Sequence, residues 1–454
     1  MAPVWEIENA LPGAVWPVVP TPDAAALLAM HYQFEHTQWL TADALASLQL
    51  SQLTSILAHA YATVPHYRER WAGLYDPSLP LTWKTFSTLP LLARTDLQAR
   101  FEAMKSTRIP AQHGPVGEAR TSGSTGTPVR VLNTALCGLF WRAFTLRDHA
   151  WHRRDLHGKL AAIRQGVPRN EGEGWGSATQ GTVRTGRAVT LPVSTEIGEQ
   201  LRWLQAQDPD YLLSHPTNLG VLAQLSLKQG VRLPRLREVR TSGEVLSMEV
   251  RELCRAAWNV PVADMYSCNE LGYIALQCPE TDCYHVMAEG VVVEVLDEAG
   301  QPCAPEAVGR IVVTALNNFA TPLVRYEIGD YAEVGAPCSC GRGLPALSRI
   351  IGRARNMLLM ADGGQFWPAF GLRGLTETLR IRQHQIVQKT FDLIEARLVV
   401  EVPLDESQEY QLRTRLLSRA PPGFRMEIVY CDAIQRSAGG KFEDFICEVR
   451  GRSS

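Results

Sequence analysis

Nowhere in the 454 residues is there an unbroken apolar run of roughly eighteen residues, the length a helix needs to cross a bilayer. A membrane-spanning helix is excluded on that ground. Net charge is also scarce. Lys and Arg number 45 against 47 Asp and Glu, a formal −2, which leaves no basic footprint for a nucleic acid. Cysteine amounts to ten residues, too few for a disulfide scaffold in a chain of this size. Internal repeats and low-complexity tracts are missing. The opening "MAPVWEIENALPGAVWPVVPTPD" carries Glu6 and Glu8 and lacks a basic start followed by an apolar run, so it does not read as a leader peptide and the expected location is the cytoplasm.

What is there is the composition of a soluble globular protein, 45% hydrophobic and 20% charged. The length favours one large and one small domain over a single core. Helical spacing in "ADALASLQLSQLTSILAHAYATV" and a Pro-punctuated segment ending in "LPLLARTDLQARF" predict a helical cap over the first hundred residues. From about 120 to 265, β-rich runs ("KLAAIR", "YLLSHP", "LREVRTSGE") alternate with helix-like ones ("TNLGVLAQLSLKQG", "SMEVRELCRAAWN"), the strand and crossover helix of an α/β sheet. Between about 286 and 350, "VVVEVL", "GRIVVTAL" and "PLVRYEIGDYAEV" are Val-rich strands broken by Gly, Asn and Pro, which predicts a β subdomain. After "IGRARN", helix-like "EYQLRTRLLSRA" and strand-like "ARLVVEVPL" and "RMEIVY" predict a small α+β domain. The expected division is residues 1–351 and 352–454.

The stretch "GEARTSGSTGTPVRVLN" (117–133) is a chemical signal. Backbone N–H groups at a Gly-rich turn form an anion nest, and Ser or Thr hydroxyls add donors without bulk, so phosphate is the natural guest. No Lys follows the last Gly, so this is not a Walker A loop. Alone, an ordinary polar turn before a strand would account for it equally well. It is followed, however, by "TSGE" (241–244), "DMYSCNE" (264–270), "PLVRYEIGD" (322–330), "IGRARN" (351–356) and "IQRSAGGK" (434–441).

That order resembles the adenylate-forming enzymes, and within them the phenylacetate-CoA ligase branch. The likeness runs from about residue 55 to 447 and includes "YATVPHYRERW", similar to the branch's early Tyr-x-x-x-Pro-x-Tyr-Arg signature. It implies a large ATP- and acid-binding domain with a small mobile C-terminal domain. It also implies a reaction in which ATP activates a carboxylic acid to an acyl adenylate, releasing pyrophosphate, before the acyl group passes to a thiol of coenzyme A or of a carrier protein's phosphopantetheine. Bringing a carboxylate to an α-phosphate needs positive charge and positioned donors in the site.

The resemblance distributes those needs over the motifs. Thr121, Ser122, Gly123, Ser124, Thr125 and Gly126 would hold the phosphates that leave. Glu270 would hold Mg²⁺, a hard cation suited to carboxylate oxygen. Tyr266 would stack on adenine, with Ser242, Gly243 and Glu244 as the opposite wall, Asp264 near the exocyclic amine and Ser267 beside it. Asp330 would accept from the ribose hydroxyls, and Arg353 would contact ribose or phosphate. Lys441 would bridge the carboxylate and the α-phosphate, a task for a compact ammonium.

The chain departs from the family's pattern in two places. Asn269 stands where most relatives carry Thr, and the hinge Asp aligns with Arg355 or Asn356, which leaves the second half-reaction open. An alternative reading therefore ends in an amine or hydroxyl acceptor, or in adenylation of a cofactor, without a CoA thioester. A third is a nucleotide-binding module without catalysis, which the presence of Glu270, Asp330 and Lys441 disfavours.

Cys278, Cys283 and His285 fall close together, and Cys338 and Cys340 lie in a later loop. These are ligands enough for a structural, tetrahedral zinc site with one to spare, although the spacing is not that of a zinc ribbon and free cysteines are the competing reading. Several family members show a similar Cys…His…Cys-x-Cys pattern. For the acid, the resemblance assigns a pocket-lining helix to "TALCGLFWRAFTLRDHAWHR", with Phe140 and Trp141 as an aromatic wall or as core, and places His215 on the substrate side or as a helix cap. The Gly-rich stretch 169–188 is expected to be a mobile loop over the site. The expected partner is a small carboxylic acid, aryl or short, and the chain a monomer or homodimer.

Overall fold

The computed structural model describes residues 5–121, 128–353, 357–362, 364–366, 370, 378–434 and 445–449. The chain forms two compact units that meet in sequence between Ile351 and Gly352, the first made of residues up to Leu246 and Val250–Ile351. Each is taken by itself below.

The first unit begins with helices whose starts are written in the sequence. Thr21 caps Pro22–Thr37 by accepting from the Ala24 N–H, with Pro at the first helical position, and Thr41 caps Ala42–Thr63 in the same way through Ala44. The short helix Pro65–Arg70 follows. From it Tyr67, fully buried, donates its hydroxyl to Pro322 O at 2.8 Å and accepts from Val324 N at 3.0 Å. The early Tyr-Arg signature thus clamps the helical cap to the later "PLVRYEIGD" segment.

Next comes a hairpin of β1 (Val116–Arg120) and β2 (Arg130–Thr134), then the helix Ala135–Trp151. The sheet strands are β3 (Leu160–Arg164), β4 (Asn170–Gly172), β5 (Ala188–Pro192), β6 (Tyr211–Ser214), β7 (Glu238–Ser242), β8 (Val262–Cys268) and β9 (Gly272–Gln277), continued by β10 (Tyr284–Val286), β11 (Val291–Leu296), β12 (Val308–Ala315), β13 (Tyr326–Val334) and β14 (Ala346–Arg353). All twelve join one sheet in the order β11-β12-β13-β14-β10-β9-β8-β7-β6-β3-β5-β4.

Strands β5, β3, β6, β7 and β8 pair in parallel, as crossover helices require, and β8 pairs with β9 antiparallel. On one face, helices Ile197–Gln207, Pro216–Gln229 and Met248–Trp258 bury Leu201, Leu204, Leu219, Leu222 and Cys254 against Leu212, Val239 and Val262. Each fully buried Leu contributes about 1.5–3 kcal/mol by removal from water.

Two expectations change. The Val-rich strands of 286–350 do not stand apart as a subdomain. Strand β10 pairs with both β9 and β14, so its short Tyr284–Val286 segment splices the antiparallel strands onto the α/β half. The Gly-rich stretch 169–188, expected as a mobile loop, is tied down: β4 pairs with β5, Val183 bridges to Ile7, and Ala178, Thr179 and Thr182 are buried.

The second unit holds a four-stranded sheet, β19-β18-β17-β20, of β17 (Ile381–Gln388), β18 (Leu393–Val400), β19 (Arg425–Tyr430) and β20 (Phe445–Cys447), after a small hairpin of β15 (Leu358–Leu359) and β16 (Gln365–Phe366). Helix Glu406–Leu417, started by a reciprocal Asp405–Gln408 capping box, buries Leu412 and Leu416 against Ile394, Ala396, Leu398 and Met426. The α+β pattern read from this part of the sequence is what forms.

Candidate functional site

The parallel strands end together, and in open α/β sheets ligands bind beyond such carboxyl ends. After Ser242 the chain turns through Gly243 at φ +83°, a left-handed conformation that favours glycine. The next side chain, Glu244, reaches back to the start of helix Pro216–Gln229, where one carboxylate oxygen accepts from Thr217 N at 3.0 Å and Thr217 Oγ1 at 2.8 Å. His215 begins the same helix, and its Nδ1 lies 3.0 Å from Ser242 O. The ends of β6 and β7 are thereby locked to one another.

Along β8, the Tyr266 hydroxyl donates to Asp330 Oδ2 at 2.7 Å. This joins the middle of β8 to β13, whose Gly329 sits at φ +85°. Ser267 is partly exposed beside them. Asp264 lies deeper: it is buried, and its two oxygens accept from Thr241 Oγ1 and from Tyr284 OH, the latter at 2.7 Å. Burial pushes its carboxyl up to about 6.

Glu270 follows β8 and is also buried. Arg94 Nη1 donates to Glu270 Oε1 at 3.1 Å, and its Nη2 donates to Thr121 Oγ1 at 3.1 Å, the residue opening the Gly-Ser-Thr loop. Thr121 Oγ1 also accepts from Val129 N at 2.9 Å, and Thr121 N donates to Val129 O at 3.0 Å, closing the loop at its base. Arg94 is aimed by its chain: Leu92 exchanges backbone bonds with Arg325 and Glu327 at 2.9 Å each, so the segment before Arg94 runs beside β13. Burial and the neighbouring Glu270 push the Tyr326 hydroxyl and the Cys268 thiol up. Asn269 turns its amide to Arg120 O at 3.3 Å.

Sequence reasoning singled out Glu270 and Thr121 but missed Arg94. The only signal was a basic residue closing the Pro-punctuated "LPLLAR". Ser122, Gly123, Ser124, Thr125, Gly126, Arg355, Asn356 and Lys441 lie outside the described residues. Arg353 ends β14.

No protein-family model matches the chain. It is 27% identical over 406 residues to the phenylacetate-coenzyme A ligase of Thermus thermophilus, covering 82% of this chain and 84% of that protein. It is 24% identical over 430 residues to the phenylacetate-coenzyme A ligase of Escherichia coli, covering 87% and 93%. Over most of its length the chain is thus similar to phenylacetate-CoA ligases, a branch of the adenylate-forming enzymes. Solved structures share the fold. A 2-hydroxyisobutyryl-CoA ligase in the postadenylation state, in complex with 2-HIB-AMP, aligns with a TM-score of 0.72 at 19% identity over 91% of this chain and 92% of that one. An amide bond synthetase from Marinactinospora thermotolerans aligns at 0.51 and 17% identity, over 72% and 67%.

The two aromatic residues expected on the acid side part company. Phe140 packs with Phe34 and Phe144 and lines a cavity of 470 Å³ with Gln49, Gln52, His113 and Phe319. Trp141, 39% exposed, turns the other way and stacks on Tyr273 of β9 at 6.2 Å. Neighbours on a helix point about 100° apart, and here the two rings meet different surroundings.

The thiols converge as well. Ligand atoms of Cys278, Cys283, His285 and Cys338 lie within 4.8 Å of one another. His285 is carried by β10 and fully buried, and its Nδ1 has no hydrogen-bond partner among the described residues. Cys340 stands outside this group with its Sγ 3.3 Å from His285 Nε2. Three thiols and an imidazole at this spacing fit a tetrahedral zinc ion.

Proposed function

We propose that the protein is an AMP-forming acid-thiol ligase. The carboxylate oxygen of a small organic acid attacks the α-phosphorus of ATP and the bond to pyrophosphate breaks, giving an acyl adenylate. A thiol then attacks the acyl carbon, the bond to AMP breaks, and a thioester forms. The observation that carries the reading is the Arg94–Glu270–Thr121 constellation beside the Tyr266–Asp330 pair, at the carboxyl ends of parallel strands.

In this reading the base of the Gly-Ser-Thr loop at Thr121, with Arg94 above it, receives the departing phosphates, since a guanidinium presents a planar fork of donors to phosphate oxygens. Glu270 offers the hard oxygen that a Mg²⁺ ion takes, and a bound ion would neutralise phosphate charge there. Asp330 takes the ribose hydroxyls from a position fixed by Tyr266. Ser242 and Gly243 wall the base, and Glu244, committed to the Thr217 cap, supports that wall. Lys441 is assigned the carboxylate and α-phosphate, and Arg353 ribose or phosphate.

The thiol is assigned to coenzyme A, because the curated relatives are named as coenzyme A ligases. The location is assigned to the cytoplasm. Carboxylate-dependent ATP–pyrophosphate exchange, followed by addition of coenzyme A and mass detection of the acyl thioester, tests both halves. Exchange that falls by about 10²–10³ in Lys441→Ala supports the first half. Exchange without thioester would replace coenzyme A by another acceptor, and no exchange with any acid would overturn the reading.

The cysteine cluster is assigned one zinc ion, held by Cys278, Cys283, Cys338 and His285, with Cys340 next to the imidazole. It would pin β10 between β9 and β14, and no reaction step passes through it. Elemental analysis should find one zinc per chain, lost in Cys283→Ser.

A further inference from the structure

A charged cluster lies in the sheet face opposite the three crossover helices. Pairing places Leu213 of β6, Arg240 and Ser242 of β7, and Ala263 and Met265 of β8 on one face. Helix Ala135–Trp151 covers that face from above, since Arg240 Nη2 donates to Asp148 Oδ2 at 2.7 Å and Thr145 Oγ1 meets Tyr273 OH at 3.2 Å. On the opposite face the same strands are sealed, with Leu212 and Val239 at 0% exposure. Here Leu213, Ser242 and Met265 stay partly exposed although they sit in central strands. We take these positions to border a gap beside Ser242 and His215, near the stacked Trp141 and Tyr273, with Arg240 in the same strand face as Leu213 and Ser242.

Arg240 is only 4% exposed, and of its guanidinium donors one is engaged, by Asp148. Its Nε is buried and has no acceptor among the described residues. A buried guanidinium so sparingly paired is poised for an oxygen acceptor that is not part of the protein. The charge around it decides which kind. Arg154 grips both Asp148 and Glu238, Arg240 adds a second guanidinium on Asp148, and the His152 ring lies 3.2 Å from the same carboxylate, so two guanidiniums meet two carboxylates. His149 is held neutral by burial and by the two guanidiniums. The cluster is balanced, and a further carboxylate would be an uncompensated buried charge. A hydroxyl or carbonyl oxygen would fill the idle donor without one.

We infer that this gap receives the acyl part of the acid and that Arg240 reads an uncharged oxygen on it, which makes the substrate a hydroxy or oxo carboxylic acid. The inference rests on the acid-activating function proposed above and names the substrate class for that site. Arg240 is here a specificity residue, remote from the carboxylate that reacts.

The test is ATP–pyrophosphate exchange by the full-length protein with size-matched unsubstituted, hydroxy- or oxo-substituted, and dicarboxylic acids. Hydroxy or oxo acids are expected to lead the unsubstituted set by about 10–100-fold in kcat/KM, because a site built around hydrogen-bond donors rejects analogues lacking the acceptor. In Arg240→Met that ratio is expected to collapse towards one. Equal or better exchange with unsubstituted acids, or a lead by dicarboxylic acids, overturns the inference while leaving acid activation standing. So does an equal loss on all sets in a folded Arg240→Met, which marks a structural role. If the variant does not fold, the wild-type ratio decides alone. No exchange with any acid overturns acid activation and this inference together.

Discussion

Arg94 Nη1 donates to Glu270 Oε1 at 3.1 Å, a contact made across 176 residues of chain. The same guanidinium reaches Thr121, so one side chain joins the helical cap, the base of the Gly-Ser-Thr loop and the end of β8. Arg94→Ala should lower ATP–pyrophosphate exchange by about 10²–10³ and leave Glu270 buried without its cation. Arg94→Lys should recover only part, because an ammonium cannot reach both partners with a planar fork. Exchange kinetics of the two variants give the answer. An Arg94→Ala variant with undiminished exchange would remove Arg94 from the site.

Removing one hydroxyl isolates the Tyr266–Asp330 contact. Tyr266→Phe keeps the ring and deletes a bond of 2.7 Å, worth about 1 kcal/mol and somewhat more with a charged acceptor. The KM for ATP should rise about 5–10-fold, with kcat little changed. A fall in kcat at constant KM would point to a role in the chemical step instead.

Asp264 supplies a pH signature. Its folded carboxyl titrates at about 6, above the unfolded value near 3.9, because burial disfavours the charged form. The folded state therefore binds the proton more tightly. Relative to a group that does not titrate, Asp264 favours folding fully below about pH 4, and that advantage is lost as pH rises through 6. The stability of Asp264→Asn minus that of wild type should shift by about 1–3 kcal/mol in favour of the variant between pH 4 and pH 7. Urea unfolding at those two values measures it, and no shift would mean the carboxyl is not perturbed.

His66 is 0% exposed, and neither ring nitrogen has a hydrogen-bond partner among the described residues. Burial lowers its pKa, so protonation below about pH 6 opposes folding. A benzene ring in the same place carries no polar atoms to satisfy. His66→Phe should raise stability by about 1 kcal/mol near pH 7 and by more at pH 5. Chemical denaturation at both pH values checks this. A destabilised variant would mean that an imidazole nitrogen is satisfied in solution.

The alternation of strand and helix between residues 120 and 265 was legible because buried parallel strands and amphipathic helices differ in apolar period. The strands after residue 286 were legible as strands. Their membership of the same sheet was not, because it depends on β10, three residues long, pairing on both sides with segments far apart in sequence. Glu270, Tyr266 and Asp330 could be named from motifs, yet Arg94 could not, since its chemistry exists only once Leu92 is laid against β13. Nothing in the sequence marked Arg240 and Asp148 as a pair. They are buried because each supplies the other's counter-charge, a fact about pairing that periodicity does not carry.

The Tyr67 hydroxyl, held between Pro322 O and Val324 N, has a consequence for how the protein is made. Its acceptor follows it by 255 residues, so at a synthesis rate of about 5–20 residues per second the helical cap waits roughly 10–50 s on the ribosome before the segment it clasps has been synthesised. Until then the core around Tyr67, Trp71 and Tyr75 lacks the part that Leu323, Val324 and Tyr326 supply. During that interval the nascent chain offers a sticky N-terminal surface, and chaperone capture of ribosome-bound chains should peak before residue 324 emerges.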